Sequence, residues 1–164
     1  MRVAICPGSF DPVTLGHLDI IKRASRLFDK IYVAVLSNSA KQGLFTVEER
    51  KALLKKCLID VPNVEVICFS GLLVDCVREY KAAAVIKGLR AVSDFEYEFQ
   101  MSLINKKLNP EMETLFINTN AKYMYLSSSV VKEVGSHGGD ISDFVHPAVE
   151  EEIRNRIIEK GAKK

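Results

Sequence analysis

The chain has 164 residues, 48% of them hydrophobic and 27% charged, with 23 basic and 21 acidic side chains giving a net charge of +2. That length suits one domain, and the near-neutral balance argues against a protein held to nucleic acid by bulk charge. No apolar run approaches the ~20 residues that span a bilayer, and Met1–Cys6 reaches Pro7-Gly8 too soon for a signal peptide.

In chain order, Arg2–Cys6 is a short apolar, β-rich run that Pro7-Gly8 should stop. From Leu15 to Phe28 the apolar residues Leu15, Leu18, Ile21, Ala24, Leu27 and Phe28 fall at helical spacing. Ile31–Leu36 is a second buried strand. Thr46-Val47-Glu48-Glu49 has the capping-box pattern and opens a helix to about Leu58. Val64–Ile67 is a third strand, Leu72 to Tyr80 a helix, and Ala83–Lys87 a fourth strand ended by Gly88. Ser93-Asp94-Phe95-Glu96 repeats the capping pattern before a helix to about Leu108. Thr114–Asn118 is a fifth strand, Ser127 to Val134 a short helix, and Gly135–Asp140 a loop. Pro147 stands at the first position of a last helix, about 147–160.

Strands that are continuous apolar runs, alternating with helices, predict an α/β fold: a doubly wound, Rossmann-like, parallel five-stranded sheet with helices on both faces, in one domain over 1–164. The cysteines Cys6, Cys57, Cys68 and Cys76 form no CxxC pair and read as reduced, buried thiols of a cytoplasmic protein.

Ligands of such sheets bind beyond the carboxyl ends of the strands, where Pro7–His17 lies. Gly8 and Gly16 let backbone come close to a ligand, Ser9 offers a hydroxyl, and His17 falls at a helix start, where free N–H groups favour anions. Read alone, this is an ordinary turn followed by a capping histidine. Neither G-x-G-x-x-G after the first strand nor G-x-x-x-x-G-K-S/T is present, so spacing establishes only a potential anion site.

Ser9-Phe10-Asp11-Pro12 with Thr14-Leu15-Gly16-His17 resembles the T/H-x-G-H signature of the nucleotidyltransferase superfamily, and Leu126–Lys132 resembles its second motif, I-S-S-S/T. Within it, PGSFDPVTLGH, FTVEER, GLRAVSDFEYE and SSSVVKEV together resemble the phosphopantetheine adenylyltransferases, from Arg2 to about Val145. The resemblance implies transfer of the adenylyl group of ATP to 4′-phosphopantetheine, with pyrophosphate as leaving group and no covalent enzyme intermediate. It implies His17 as transition-state stabiliser, with Lys41 and Arg90 also catalytic. ATP would meet Ser9, Phe10, His17, Gly88, Leu89, Arg90, Glu98, Tyr123, Met124, Tyr125, Leu126 and Ser127–Ser129. Phosphopantetheine would meet Ser9, Lys41, Leu73, Lys87, Met101 and Asn105.

Lys87 departs from the family's usual Arg-Gly-Leu-Arg; it keeps the charge and loses the bidentate fork. Without the family, Lys41 and Glu98 read as solvated side chains, Ser127–Ser129 as capping serines, and Leu73 and Met101 as core. Asp11 is expected to hold the loop, and His137 and His146 to be structural or surface residues. The resemblance further implies Mg²⁺ carried by the ATP phosphates with no protein ligand, a homohexamer and feedback by coenzyme A, while charge and hydropathy lead to the expectation of no nucleic-acid or membrane partner. The nearest rivals are nucleotidyltransferases acting on glycerol phosphate with CTP or on nicotinamide mononucleotide, which tend to carry His where Thr14 stands. A nucleotide-sensing module without turnover is the rival from another class.

Overall fold

A computed structural model describes residues 1–37 and 43–161. The strands are β1 (Val3–Gly8), β2 (Lys30–Leu36), β3 (Val64–Phe69), β4 (Ala84–Leu89) and β5 (Glu113–Asn118). The helices are α1 (Leu15–Ala24), α2 (Val47–Cys57), α3 (Leu73–Glu79), α4 (Val92–Leu108), α5 (Ser128–Ser136) and α6 (Pro147–Gly161), with a 3₁₀ turn at Ala121–Tyr123. All four strand pairings are parallel, in the order β3-β2-β1-β4-β5. This is the doubly wound sheet expected from the continuous apolar strands.

The two faces divide by the strand period of two. Ala4, Cys6, Ile31, Val33, Val35, Ala84 and Ile86 join one core with residues of α1, α2, α5 and α6. Ile5, Ala34, Ile67 and Val85 turn the other way, onto Val74, Cys76 and Val77 of α3 and onto Met112.

Strand β3 runs on to Phe69, β4 continues through Gly88 to Leu89 and α5 through Gly135 to Ser136, each past its expected end, and three further boundaries differ from expectation. Proline and glycine do not stop β1, which pairs with β2 as far as Gly8. Its pairing with β4 ends at Ile5. Pro7 therefore stands where β1 has become a free edge on the β4 side, and a residue without N–H costs nothing there. Second, α1 ends at Ala24, four residues early, with Ser25 as its C-cap. Leu27 is largely exposed, so the periodic run outlasts the helix. Third, α4 starts at Val92 with Ala91 as N-cap and no side-chain cap, so the Ser93 capping box is not what opens it. Instead Arg90, at the end of β4, grips Asp94 in the first turn (Nε–Oδ2 3.0 Å) and pulls the helix start toward the strand. The box at Thr46 forms as expected, and Pro147 is the first residue of α6.

The sheet order reverses between β1 and β4, and there the two strands part above Ile5. The fold thus makes its crevice at the switch point.

Candidate active site

Beyond the carboxyl ends of β1 and β4 lies a cavity of about 950 Å³. Ser9, Phe10 and His17 line it from the first loop, Lys87, Gly88 and Arg90 from β4 and its end. Glu98 of α4 and Tyr123, Leu126, Ser127 and Ser128 complete the set of expected residues found there.

The three-residue spacing of Thr14 and His17 has a local structural meaning. Thr14 is the N-cap of α1, and its hydroxyl accepts from the His17 N–H at 3.3 Å. In return, the Thr14 backbone N–H donates to His17 Nδ1 at 3.1 Å. This is a capping box in which an imidazole replaces the usual carboxylate at the third helical position. A backbone N–H can only donate, so Nδ1 is the bare nitrogen and the ring proton sits on Nε2. Burial, and then the charge of Arg90, push the His17 pKa from 6.5 down to about 4. At neutral pH His17 is an uncharged, oriented N–H donor. Phe10 braces it edge-on, with ring centroids 5.2 Å apart.

Phe10 adopts a positive φ of 48°. A Cβ on Gly8 would stand 2.9 Å from the Phe10 ring, so the tight return of the loop requires glycine there. Asp11, buried, accepts from the Leu44 N–H at 2.8 Å and the Phe45 N–H at 2.9 Å. It holds the loop against the start of α2, as the sequence suggests.

The second motif is bolted to the first. The Ser128 hydroxyl donates to the Pro12 carbonyl at 2.7 Å, and Lys132 lies 3.6 Å from Asp11. Ser127 caps α5, accepting from the Val130 N–H at 3.1 Å. Arg90 donates to the Leu126 carbonyl at 2.7 Å while its Nε faces Asp94. Lys87 pairs with Glu98 at 3.1 Å. Cys6 also lines the cavity, but burial pushes its thiol up to about 12, so it is protonated and no nucleophile at neutral pH. The remaining cysteines are unpaired as well.

Residues 5–134 match the model of the cytidylyltransferase-like family. The phosphopantetheine adenylyltransferase of Caldanaerobacter subterraneus subsp. tengcongensis is 60% identical over 163 residues, 99% of each chain. That of Clostridium tetani is 58% identical over 153 residues, covering 93% of this chain and 96% of its own. The chain belongs to the phosphopantetheine adenylyltransferase family. A solved structure titled a putative nicotinate-nucleotide adenylyltransferase from Vibrio parahaemolyticus superposes with a TM-score of 0.69 over 98% of this chain and 94% of its own. At 18% identity it speaks for the fold alone.

Not every residue expected from the phosphopantetheine adenylyltransferase pattern lines the cavity. Leu89, Met124, Tyr125 and Ser129 flank it in sequence without lining it. Leu73, at the start of α3, packs on the second core. Met101 and Asn105 continue, one and two turns on, the α4 stripe that carries Asp94 and Glu98. Lys41 lies outside the described residues.

Other lining residues escaped the sequence reading. Asp94 and Tyr97 face the cavity from α4, and Thr119 from the end of β5. The four-residue spacing of Arg90, Asp94 and Glu98 could have revealed Asp94; nothing local marks Thr119. His137 and His146 serve structure: His137 Nδ1 lies 2.9 Å from the Glu133 carbonyl, and His146 Nδ1 accepts from the Ala148 N–H.

Proposed function

We propose that the chain transfers the adenylyl group of ATP to 4′-phosphopantetheine, giving dephospho-coenzyme A and pyrophosphate. The observation that carries this reading is His17: a neutral imidazole, its tautomer set by Thr14, at the mouth of a cavity framed by both motifs of the family. An acceptor phosphate oxygen attacks the α-phosphorus, that bond forms, and the bond to the β-phosphate bridge breaks, its electron pair leaving with pyrophosphate. The nucleophile arrives as an anion, so no serine or cysteine need be activated. Catalysis then rests on position and on donors aimed at the charge that develops.

His17 would supply Nε2–H to that charge. Arg90 adds a fixed cation held by Asp94 and Leu126. Ser9, Phe10, Gly88, Tyr123 and Ser127–Ser129 bind ATP in this reading, with Leu89, Glu98 and Met124–Leu126. Ser9, Lys41, Leu73, Lys87, Met101 and Asn105 bind phosphopantetheine. Mg²⁺ would enter on the triphosphate and neutralise part of its charge. The cavity suits that arrangement, because Asp94 and Glu98 are each engaged by a cation of the chain.

The same reading takes in a homohexamer, coenzyme A as a feedback ligand at the acceptor end, and a cytoplasmic enzyme. Four unpaired thiols suit a reducing compartment. The apolar side chains Phe99, Leu103, Ile104 and Leu108 stand exposed along α4, a face that association with further copies would cover.

The test is pyrophosphate release from ATP and Mg²⁺ with 4′-phosphopantetheine as acceptor. Release only with another acceptor, or nucleotide binding without release, would overturn the assignment. His17→Ala should lower turnover by roughly 10²–10³ while ATP still binds, the cost of one preorganised donor.

A further inference from the structure

Phe45–Arg50, the FTVEER segment, contributes no residue to the cavity, yet it meets the nucleotide loop from outside. Arg50 of α2 donates through one terminal nitrogen to the Ser9 carbonyl at 2.9 Å. Its Nε donates to the Phe45 carbonyl at 3.1 Å and the Thr46 carbonyl at 3.3 Å. Asp11 makes the opposite contacts, accepting the Leu44 and Phe45 N–H groups. The loop is thus clamped twice, once through its own Asp11 to the segment leading into α2 and once through a cation of the helix.

The Ser9 carbonyl belongs to the same peptide plane as the Phe10 N–H. That peptide is trans, so the two groups point in opposite directions. Arg50 stands outside the cavity and holds the oxygen, which turns the N–H the other way, to the side that Ser9 and Phe10 line. A guanidinium on the oxygen also polarises the amide and strengthens its N–H as a donor. Phe10 holds a positive φ, a conformation that needs outside support in a residue with a bulky side chain.

We propose that Arg50 is a positioning residue for the adenylyl-transfer site: by fixing the Ser9–Phe10 peptide it aims the Phe10 N–H at the phosphates of the nucleotide. The inference rests on the proposed reaction and deepens it, since it names what orients one of its donors.

The experiment compares Arg50→Met, Arg50→Lys and Arg156→Gln with the wild type in steady-state pyrophosphate release. Circular dichroism and thermal midpoints are recorded for each. Arg156 serves as comparison because it braces the same region, reaching Glu49, the Leu44 carbonyl and the Phe45 ring, with no hydrogen bond to Ser9 among the described residues. Arg50→Met should lower kcat about tenfold or more with KM for ATP within about twofold. The loss is smaller than for a deleted donor, because the Phe10 N–H survives with its aim lost. Arg50→Lys should recover part of kcat, since an ammonium reaches one carbonyl at a time. Arg156→Gln should lower the thermal midpoint and leave kcat within about twofold. The proposal falls if kcat of Arg50→Met stays within about twofold of wild type, or if Arg156→Gln reproduces its loss. Should Arg50→Met not fold, Arg50→Lys decides: kcat below half of wild type supports the proposal, and a smaller loss overturns it. A wild type that releases no pyrophosphate with these substrates sinks the proposed reaction. An active wild type with indifferent Arg50 variants sinks only the clamp.

Discussion

Acidifying the solution charges His17 in the unfolded chain long before it charges the folded one. The unfolded imidazole titrates near 6.5, the folded one near 4, because burial and Arg90 both oppose the cation. Protonation would also put a hydrogen on Nδ1, facing the Thr14 N–H that now donates to it. The sign follows from proton binding. Between these pH values the unfolded state holds more protons, so stability is full above 6.5 and falls as the pH drops toward 4. At about 1.36 kcal/mol per pH unit, the whole window is worth roughly 3 kcal/mol. Carboxylates titrate in the same range, so the contribution is isolated by difference. His17→Gln is the reference, since glutamine at this position of a capping box can accept the Thr14 N–H without titrating. Urea unfolding followed by circular dichroism at pH 7.5, 6, 5 and 4.5 gives both curves at equal protein concentration. Wild type should lose about 2.5 kcal/mol more than His17→Gln across the series, which stops short of the folded titration. Parallel curves, or a wild type that gains on the variant in acid, would refute the reasoning and with it the neutral-donor role.

Other expectations follow from the same contacts. Asp11→Asn should cost about 2 kcal/mol in urea unfolding, because both N–H groups lose their charged acceptor and one of them meets an amide NH₂ instead. Lys87→Ala should raise KM for 4′-phosphopantetheine and Lys87→Arg should restore it; an unchanged constant in Lys87→Ala would show the position idle. Leu103→Glu, on the exposed apolar face of α4, should yield a smaller species than wild type in light scattering, and an unaltered mass would exclude that face from any interface.

Five strands alternating with helices could be read directly, because a strand covered on both faces, as β1 is, must be apolar throughout and its run length is visible. Helix starts at Thr46 and Pro147 were equally plain, since caps are local chemistry. The start of α4 was not. Ser93 carries the local signal, but the long-range tether of Arg90 to Leu126, with its grip on Asp94, brought the boundary to Ala91. Likewise the resemblance to a known family named the reaction and a core of the lining residues, Ser9, His17, Lys87 and Arg90 among them, while Asp94, Tyr97 and Thr119 had to be seen in place.

The sequence by itself determined the strand-helix order, the capping box at Thr46, and the two motifs. These depend on residues within a turn or two of one another. Only the tertiary structure decided that β1 and β4 part above Ile5, that Ser128 ties to Pro12, and that Arg50 holds the Ser9 carbonyl. It also decided the protonation of His17, since the depth of burial and the nearness of Arg90 are sums over chain segments far apart in sequence. Spacing alone could place a histidine at the helix start; the packed loop around it made that histidine a neutral, aimed donor.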